Sequence, residues 1–215
     1  MTLSIDKGWL VGVRQVPSPH YDCRPENETP SLLVVHNISL PPGQFGGPWI
    51  DALFTGTLDP DADPFFAEIV HLRVSAHCLI RRDGEIVQYV PFDKRAWHAG
   101  VSSYQGRERC NDFSVGVELE GCDILPFEQA QYETLAGLLS ELCGRFPVAG
   151  VTGHSDIAPG RKTDPGPYFS WGCLRRILIE SGRGEVALLI EPEGAGEGDD
   201  SDRMRWPFPL AGRPL

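Results

Sequence analysis

The sequence has no apolar run approaching the ~18 residues of a membrane-spanning helix. Its start, Met1-Thr2-Leu3-Ser4-Ile5-Asp6-Lys7-Gly8-Trp9-Leu10, lacks the basic opening and long apolar stretch of a secretion signal. A soluble cytoplasmic protein with no membrane partner is therefore expected. Basic residues are scarce, with 19 Lys and Arg against 30 Asp and Glu and a formal net charge of −11. A phosphate backbone calls for the opposite balance, which argues against a nucleic-acid partner. None of the six cysteines (Cys23, Cys78, Cys110, Cys122, Cys143, Cys173) forms a Cys-x-x-Cys pair. That scatter fits reduced thiols better than a disulfide frame or a thiolate zinc site. No internal repeat and no second patterned domain is visible.

What is present suffices for one core, since 41% of the 215 residues are hydrophobic. Leu32-Leu33-Val34-Val35-His36-Asn37 reads as a buried strand that ends in two polar residues. Residues 41–63 read as a long Gly- and Pro-rich loop, interrupted by the apolar group Trp49, Ile50, Leu53 and Phe54, of a kind that often forms a binding wall. Ser75 to Val90 reads as two strands joined at Asp83-Gly84, a strong hairpin signal. Residues 96–111 form another loop, where Trp97 and His98 either line a pocket or simply pack, and where Arg107 could meet an anionic substrate. Phe113 to Gly121 alternates as a strand does, with Glu118 and Glu120 on the face of Ser114 and Gly116. Glu118 is either a general base or a strand-edge surface charge, and Glu120, nearer the turn, is expected in solvent. Leu135, Leu138, Leu139, Leu142, Cys143 and Phe146 follow a helical stripe over residues 128–146. A short strand at Gly150-Val151-Thr152 comes next, then a helix capped by Ser170 that buries Trp171, Leu174, Ile177 and Leu178. The expected division is a domain over residues 1–181 and an acidic, Gly- and Pro-rich appendage over 182–215, partly disordered.

The chemistry gathers at Thr152-Gly153-His154 through Arg161-Lys162-Thr163-Asp164-Pro165-Gly166. Two prolines and three glycines set a turn path on which His154 and Asp164 can aim at one point, with Lys162 beside it. His36, at the C-terminal end of a buried strand, is a satisfied structural histidine or a third ligand. With it, two imidazoles and a carboxylate suit zinc and leave a fourth position for water. Glu118 would then handle the proton of that water and Lys162 an oxyanion. A purely structural zinc would need a fourth protein ligand, for which His77 and His98 are the only challengers.

The segments Leu32–Ser39, Ser75–Gly84, Val115–Gly121, Trp97–Tyr104 and Thr152–Gly166 together resemble the cytoplasmic 1,6-anhydro-N-acetylmuramoyl-L-alanine amidases. The similarity runs from about residue 8 to residue 180. It implies a mixed α/β fold, a central sheet flanked by helices, of the amidase and peptidoglycan-recognition type. It further implies a zinc hydrolase that cleaves anhydro-N-acetylmuramic acid from L-alanine of muropeptides during cell-wall recycling. The implied zinc ligands are His36, His154 and Asp164, the catalytic residues Glu118 and Lys162, and the substrate contacts Asn37, Arg73, Arg107 and Arg161, with Trp97 and His98 as further candidates. One zinc per monomer is expected. The alternative is a module that binds muropeptides without cleaving them. The acidic run from Glu191 to Asp202 has no counterpart in the resemblance.

Overall fold

The computed structural model describes residues 3–190. A six-stranded sheet organises it, built from β1 (Arg14–Gln15), β2 (Leu32–Ile38), β3 (Cys78–Ile80), β4 (Ile86–Gln88), β5 (Ser114–Glu120) and β6 (Gly150–Gly153) in the order β6-β2-β5-β3-β4-β1. The neighbouring pairs are parallel except β3 and β4, which form the expected hairpin. Gly84 takes φ +86° in its turn, a left-handed conformation that glycine adopts without a Cβ penalty.

The period-two pattern of the strands sends each strand's residues to two different environments. Leu33 and Val35 of β2, with Val115, Val117 and Leu119 of β5, face the main core. There they meet α3 (Gln129–Arg145) and α5 (Trp171–Glu180). Leu135, Leu138, Leu139 and Leu142 of α3 are buried, as the stripe predicts. Gln131 joins helix to sheet, donating to Ile80 O and Glu120 O at 3.2 and 3.0 Å. The Ser170 hydroxyl caps α5 by accepting from Cys173 N at 3.1 Å, again as predicted.

The opposite face carries two smaller clusters with a polar strip between them. One gathers Leu79 and Val87 with Ile50, Leu53, Phe54 and Phe66, and the other gathers Leu32 and Val34 with Ala99, Phe113 and Ile157. His36 and Glu118 share this face, at the C-terminal ends of the central parallel strands. All six cysteines are unpaired, as expected of reduced thiols.

Two local expectations are corrected. Residues 41–63 are not one continuous loop, because α1 (Trp49–Thr55) forms within them and α2 (Pro64–Ile69) directly follows. The spacing of Ile50, Leu53 and Phe54 buries one face of α1, a pattern too short to stand out among the surrounding glycines and prolines. Glu120 is not in solvent but 2% exposed, and accepts from Gly46 N at 2.7 Å and from the Arg81 guanidinium at 3.0 Å. The strand end is roofed by the loop before α1, which a strand pattern does not reveal.

The packed chain continues to Ile190: α6 (Gly184–Ala187) follows α5, and Val186, Ala187 and Ile190 are buried in the main core. Val151 N donates to Leu189 O at 2.9 Å beside the edge strand β6. The apolar patch Val186–Ile190 is therefore part of the sheet's edge, while the acidic run and Trp206–Leu210 lie outside the described residues. Burial of three apolar side chains at about 1.5–3 kcal/mol for each large one predicts that a chain ending at residue 181 unfolds at clearly lower urea than one ending at residue 190. Equal unfolding midpoints for the two chains would contradict this packing.

Candidate metal centre and cleft

Strand register assembles the centre. Glu118 of β5 lies opposite His36 of β2 in the parallel ladder. On the other side β6 pairs with β2 up to Gly153 opposite Val35, so His154 arrives beside His36 one residue later. There the chain turns into α4 (His154–Ile157), a single helical turn within the stretch expected to be loop. The Asp156 carboxylate holds that turn by accepting from Gly153 N at 2.8 Å and from the Thr152 hydroxyl at 3.0 Å. The Gly- and Pro-rich path then doubles back, and Ser155 N donates to Asp164 O at 2.8 Å. Asp164 thereby returns to His154.

His36 Nδ1, His154 Nδ1 and Asp164 Oδ2 form a triangle with every edge 3.0 Å. For bonds of about 2.0 Å a tetrahedral ion sets its ligands about 3.3 Å apart, so this triangle is only a few tenths of an ångström tighter than a loaded one. Both imidazoles are buried, and Asp164 is partly exposed. His154 Nε2 lies 3.1 Å from Ala99 O. A carbonyl only accepts, so the His154 proton sits on Nε2 and a lone pair on Nδ1 faces the triangle. Burial lowers the His36 pKa to about 4 in spite of the opposing contact with Asp164. Two neutral imidazoles and an anionic carboxylate are the forms that bind a divalent cation. Among the described residues no other His, Cys, Asp or Glu group converges in this way.

Glu118 is buried, and its Oε2 has no hydrogen-bond partner. Burial raises its pKa well above the ordinary carboxylic value and the negative charge of Asp164 adds to this, while Lys162 works against both. A proton-holding carboxyl next to a cation site is a disposition found at active sites. Glu118 is therefore not a strand-edge surface charge, since it is buried and β5 lies between β2 and β3.

A cleft of about 520 Å³ opens beside Asp164, lined among others by Asn37, Ser39, Asp123, Arg161 and Lys162. Asn37 donates both amide protons, to Asp123 Oδ1 at 2.6 Å and to Pro165 O at 3.0 Å. Arg161 braces the facing loop by donating to Ala99 O and Val101 O at 2.7 and 2.6 Å. The other candidate contacts lie elsewhere. Arg73 is exposed after α2 and does not line the cleft. Arg107 stacks 3.8 Å from the Phe113 ring centre and pairs with Glu28 at 2.6 Å, and Trp97 donates to Asp22 at 3.3 Å.

His98 has both ring nitrogens engaged inside the protein, by His36 at 2.9 Å and Ser114 at 3.2 Å. His77, the other challenger for a fourth ligand, accepts from Gly116 N at 3.0 Å. Sequence reasoning missed Asp123 and Asp156, which orient the loops around the site. A carboxylate three residues after Gly153 was the one available sign of the Asp156 cap.

Residues 26–167 match the family described as N-acetylmuramoyl-L-alanine amidase. The chain is 73% identical over 176 residues to the 1,6-anhydro-N-acetylmuramyl-L-alanine amidase AmpD of Escherichia coli (strain K12), covering 81% of this chain and 96% of that protein. A crystal structure of a selenomethionine derivative of AmpD, 72% identical, matches with a TM-score of 0.79 over 80% of this chain and 98% of that one. The amidase AmiD from E. coli, solved with the substrate anhydro-N-acetylmuramic acid-L-Ala-D-gamma-Glu-L-Lys, is 29% identical and matches with a TM-score of 0.51 over 81% of this chain and 65% of that one.

Gly116 explains how His98 reaches His36 from the next strand, because a Cβ at residue 116 would run into the His98 ring. Gly116→Ala is expected to cost about 1–3 kcal/mol through overpacking. Thermal unfolding of the variant checks it, and an unchanged midpoint would mean that the ring moves aside freely.

Proposed function

The chain belongs to the N-acetylmuramoyl-L-alanine amidase family, and we propose that it is a zinc-dependent hydrolase of the amide bond between anhydro-N-acetylmuramic acid and L-alanine in muropeptides. The observation that carries this reading is the 3.0 Å triangle of His36, His154 and Asp164 beside the unpartnered Glu118 carboxyl, at the edge of a cleft. That donor set fits zinc, and His36, His154 and Asp164 would hold it. Zinc supplies Lewis acidity, polarising an amide carbonyl and making water acidic enough to attack near neutral pH.

The remaining steps fall to side chains of the chain. Glu118 accepts the proton of the attacking water and returns it to the leaving amine of L-alanine, so that one carboxyl serves as base and then acid. Its burial and elevated pKa suit it to hold that proton between the two steps. Lys162, on the cleft wall, places a positive charge where the carbonyl oxygen becomes negative. Asn37 has both amide protons committed, which leaves Oδ1 to accept an N–H from the substrate. Arg161 and Lys162 give local attraction for a carboxylate-bearing peptide on a chain whose net charge is −11.

The reading extends to a monomeric cytoplasmic enzyme of peptidoglycan recycling, with a catalytic domain that runs to residue 190 and an acidic appendage after it. Among the described residues no helix is long and apolar enough to cross a membrane. A module that only binds muropeptides is disfavoured by the presence of a complete ligand set together with Glu118.

The purified chain is expected to carry about one zinc and to release stem peptide from anhydro-muropeptide, as followed by metal analysis and product mass. Glu118→Ala keeps the metal and loses roughly 10²–10⁴-fold in kcat, the usual contribution of a positioned acid and base. His154→Ala loses the metal itself. Full turnover after chelation, or the same zinc content in both variants, would overturn these roles.

A further inference from the structure

His98 was a candidate substrate contact, yet the atoms around it form a directed chain of hydrogen bonds that ends on His36. The chain starts at a group that can only accept. The Ser114 hydroxyl lies 2.6 Å from Cys110 O, and since a carbonyl has no proton to offer, the hydroxyl proton is spent there. The Ser114 oxygen therefore faces His98 Nε2, 3.2 Å away, with lone pairs only, and accepts from Nε2–H. His98 meets no carboxylate at either nitrogen, and as a neutral ring protonated on Nε2 it carries a lone pair on Nδ1. That lone pair lies 2.9 Å from His36 Nε2, which must then be the donor. A His36 ring protonated on Nε2 turns a bare Nδ1 towards His154 Nδ1 and Asp164 Oδ2.

The reverse arrangement fails at one link. With the His98 proton on Nδ1, its Nε2 and the Ser114 oxygen would face each other as two acceptors, at the cost of a hydrogen bond in a part-buried site. The Cys110 carbonyl thus decides the tautomer of a ring two hydrogen-bonded groups away.

We infer that His98 and Ser114 are positioning residues that hold His36 in the tautomer with Nδ1 free for the cation, an inference that rests on the zinc reading above. His154 has the same tautomer set directly by Ala99 O, so both imidazoles present lone pairs from Nδ1. Three acceptors converge with no proton assigned between them, an arrangement that a cation relieves. An imidazole in the acceptor place also differs from a carboxylate there, because it orients His36 without adding negative charge. A cation held there would keep more of its Lewis acidity.

Elements that could have supplied another partner do not. His77, whose ring centre is 5.9 Å from that of His98, has Nδ1 engaged by Gly116 N and Nε2 by Lys94 O. Gly116, directly beneath His98, offers no side chain and leaves the space that the ring fills.

The test measures zinc affinity of the full chain by competition with a chelator of known affinity, for the native protein, His98→Asn, His98→Phe and Ser114→Ala. Removing an outer partner of a metal-bound histidine costs about 10–100-fold in affinity, which is the loss expected for His98→Phe. Asparagine places Oδ1 where Nδ1 was and should stay within about threefold of the native chain, although it fills the space less well. Ser114→Ala leaves the His98 tautomer undecided and is expected to lose about 3–10-fold. A role in packing alone would reverse the order of Asn and Phe. Native affinity in His98→Phe, or an Asn variant no tighter than the Phe variant, overturns the inference. If His98→Phe does not fold, unchanged affinity in Ser114→Ala overturns it, and a loss with Asn retained supports it. A native chain that takes up no zinc defeats the hydrolase reading itself, an outcome distinct from any of these.

Discussion

The site depends on the parallel register of β5, β2 and β6. Because Glu118 lies opposite His36 and Gly153 opposite Val35, the register sets the Glu118 carboxyl, the His36 ring and the His154 ring side by side across three strands. Side chains alternate between faces with a strict period of two. A slip of one residue between β5 and β2 would therefore send Glu118 into the apolar core and bring Val117 or Leu119 to the cleft side of the sheet beside His36. The hydrophobic pattern that buries Val115, Val117 and Leu119 against α3 and α5 is thus the same constraint that aims Glu118 at the cleft.

Two opposite electrostatic conditions coexist within this small space. Burial holds the His36 ring towards its neutral form, and the proton that His154 Nε2 gives to Ala99 O leaves the Nδ1 lone pair facing the triangle. Glu118, with Oε2 unpartnered, is pushed towards its protonated form by burial and by Asp164. Holding these groups in such an arrangement costs free energy that packing in the rest of the fold offsets. Asp123, Asp156 and the carbonyls of Ala99 and Cys110 matter in the same way. They contribute fixed acceptors that set loop path and proton position.

The strand that carries Glu118 also carries Glu120, two residues further on and on the same face. Glu120 anchors Gly46 and Arg81, so the loop from Ser39 to Gly47 is tied at its far end to the strand that holds Glu118. One wall of the cleft and Glu118 are thereby kept in fixed relation. The buried carboxylate is tolerated because the guanidinium and two backbone N–H groups satisfy it.

From the residues alone the regular elements were legible wherever a period persisted: the buried strand to His36, the Asp83-Gly84 hairpin, the long stripe of α3 and the Ser170 cap. So was the resemblance that points to His36, His154 and Asp164, because their loop path is written in glycines and prolines. Short or roofed features were not legible. Ile50, Leu53 and Phe54 span too few residues to announce α1, and Val186 to Ile190 become a sheet edge only where β6 stands ready to receive them. Glu120 is a surface residue by type and position until the loop above it closes. The direction of a hydrogen bond is further still from the sequence, since His98, Ser114 and Cys110 acquire an order only when the fold brings a ring, a hydroxyl and a carbonyl within reach. Local chemistry and periodicity determined which residues could act; long-range packing, which sums contacts distant in the chain, decided where each one faces and which atom carries the proton.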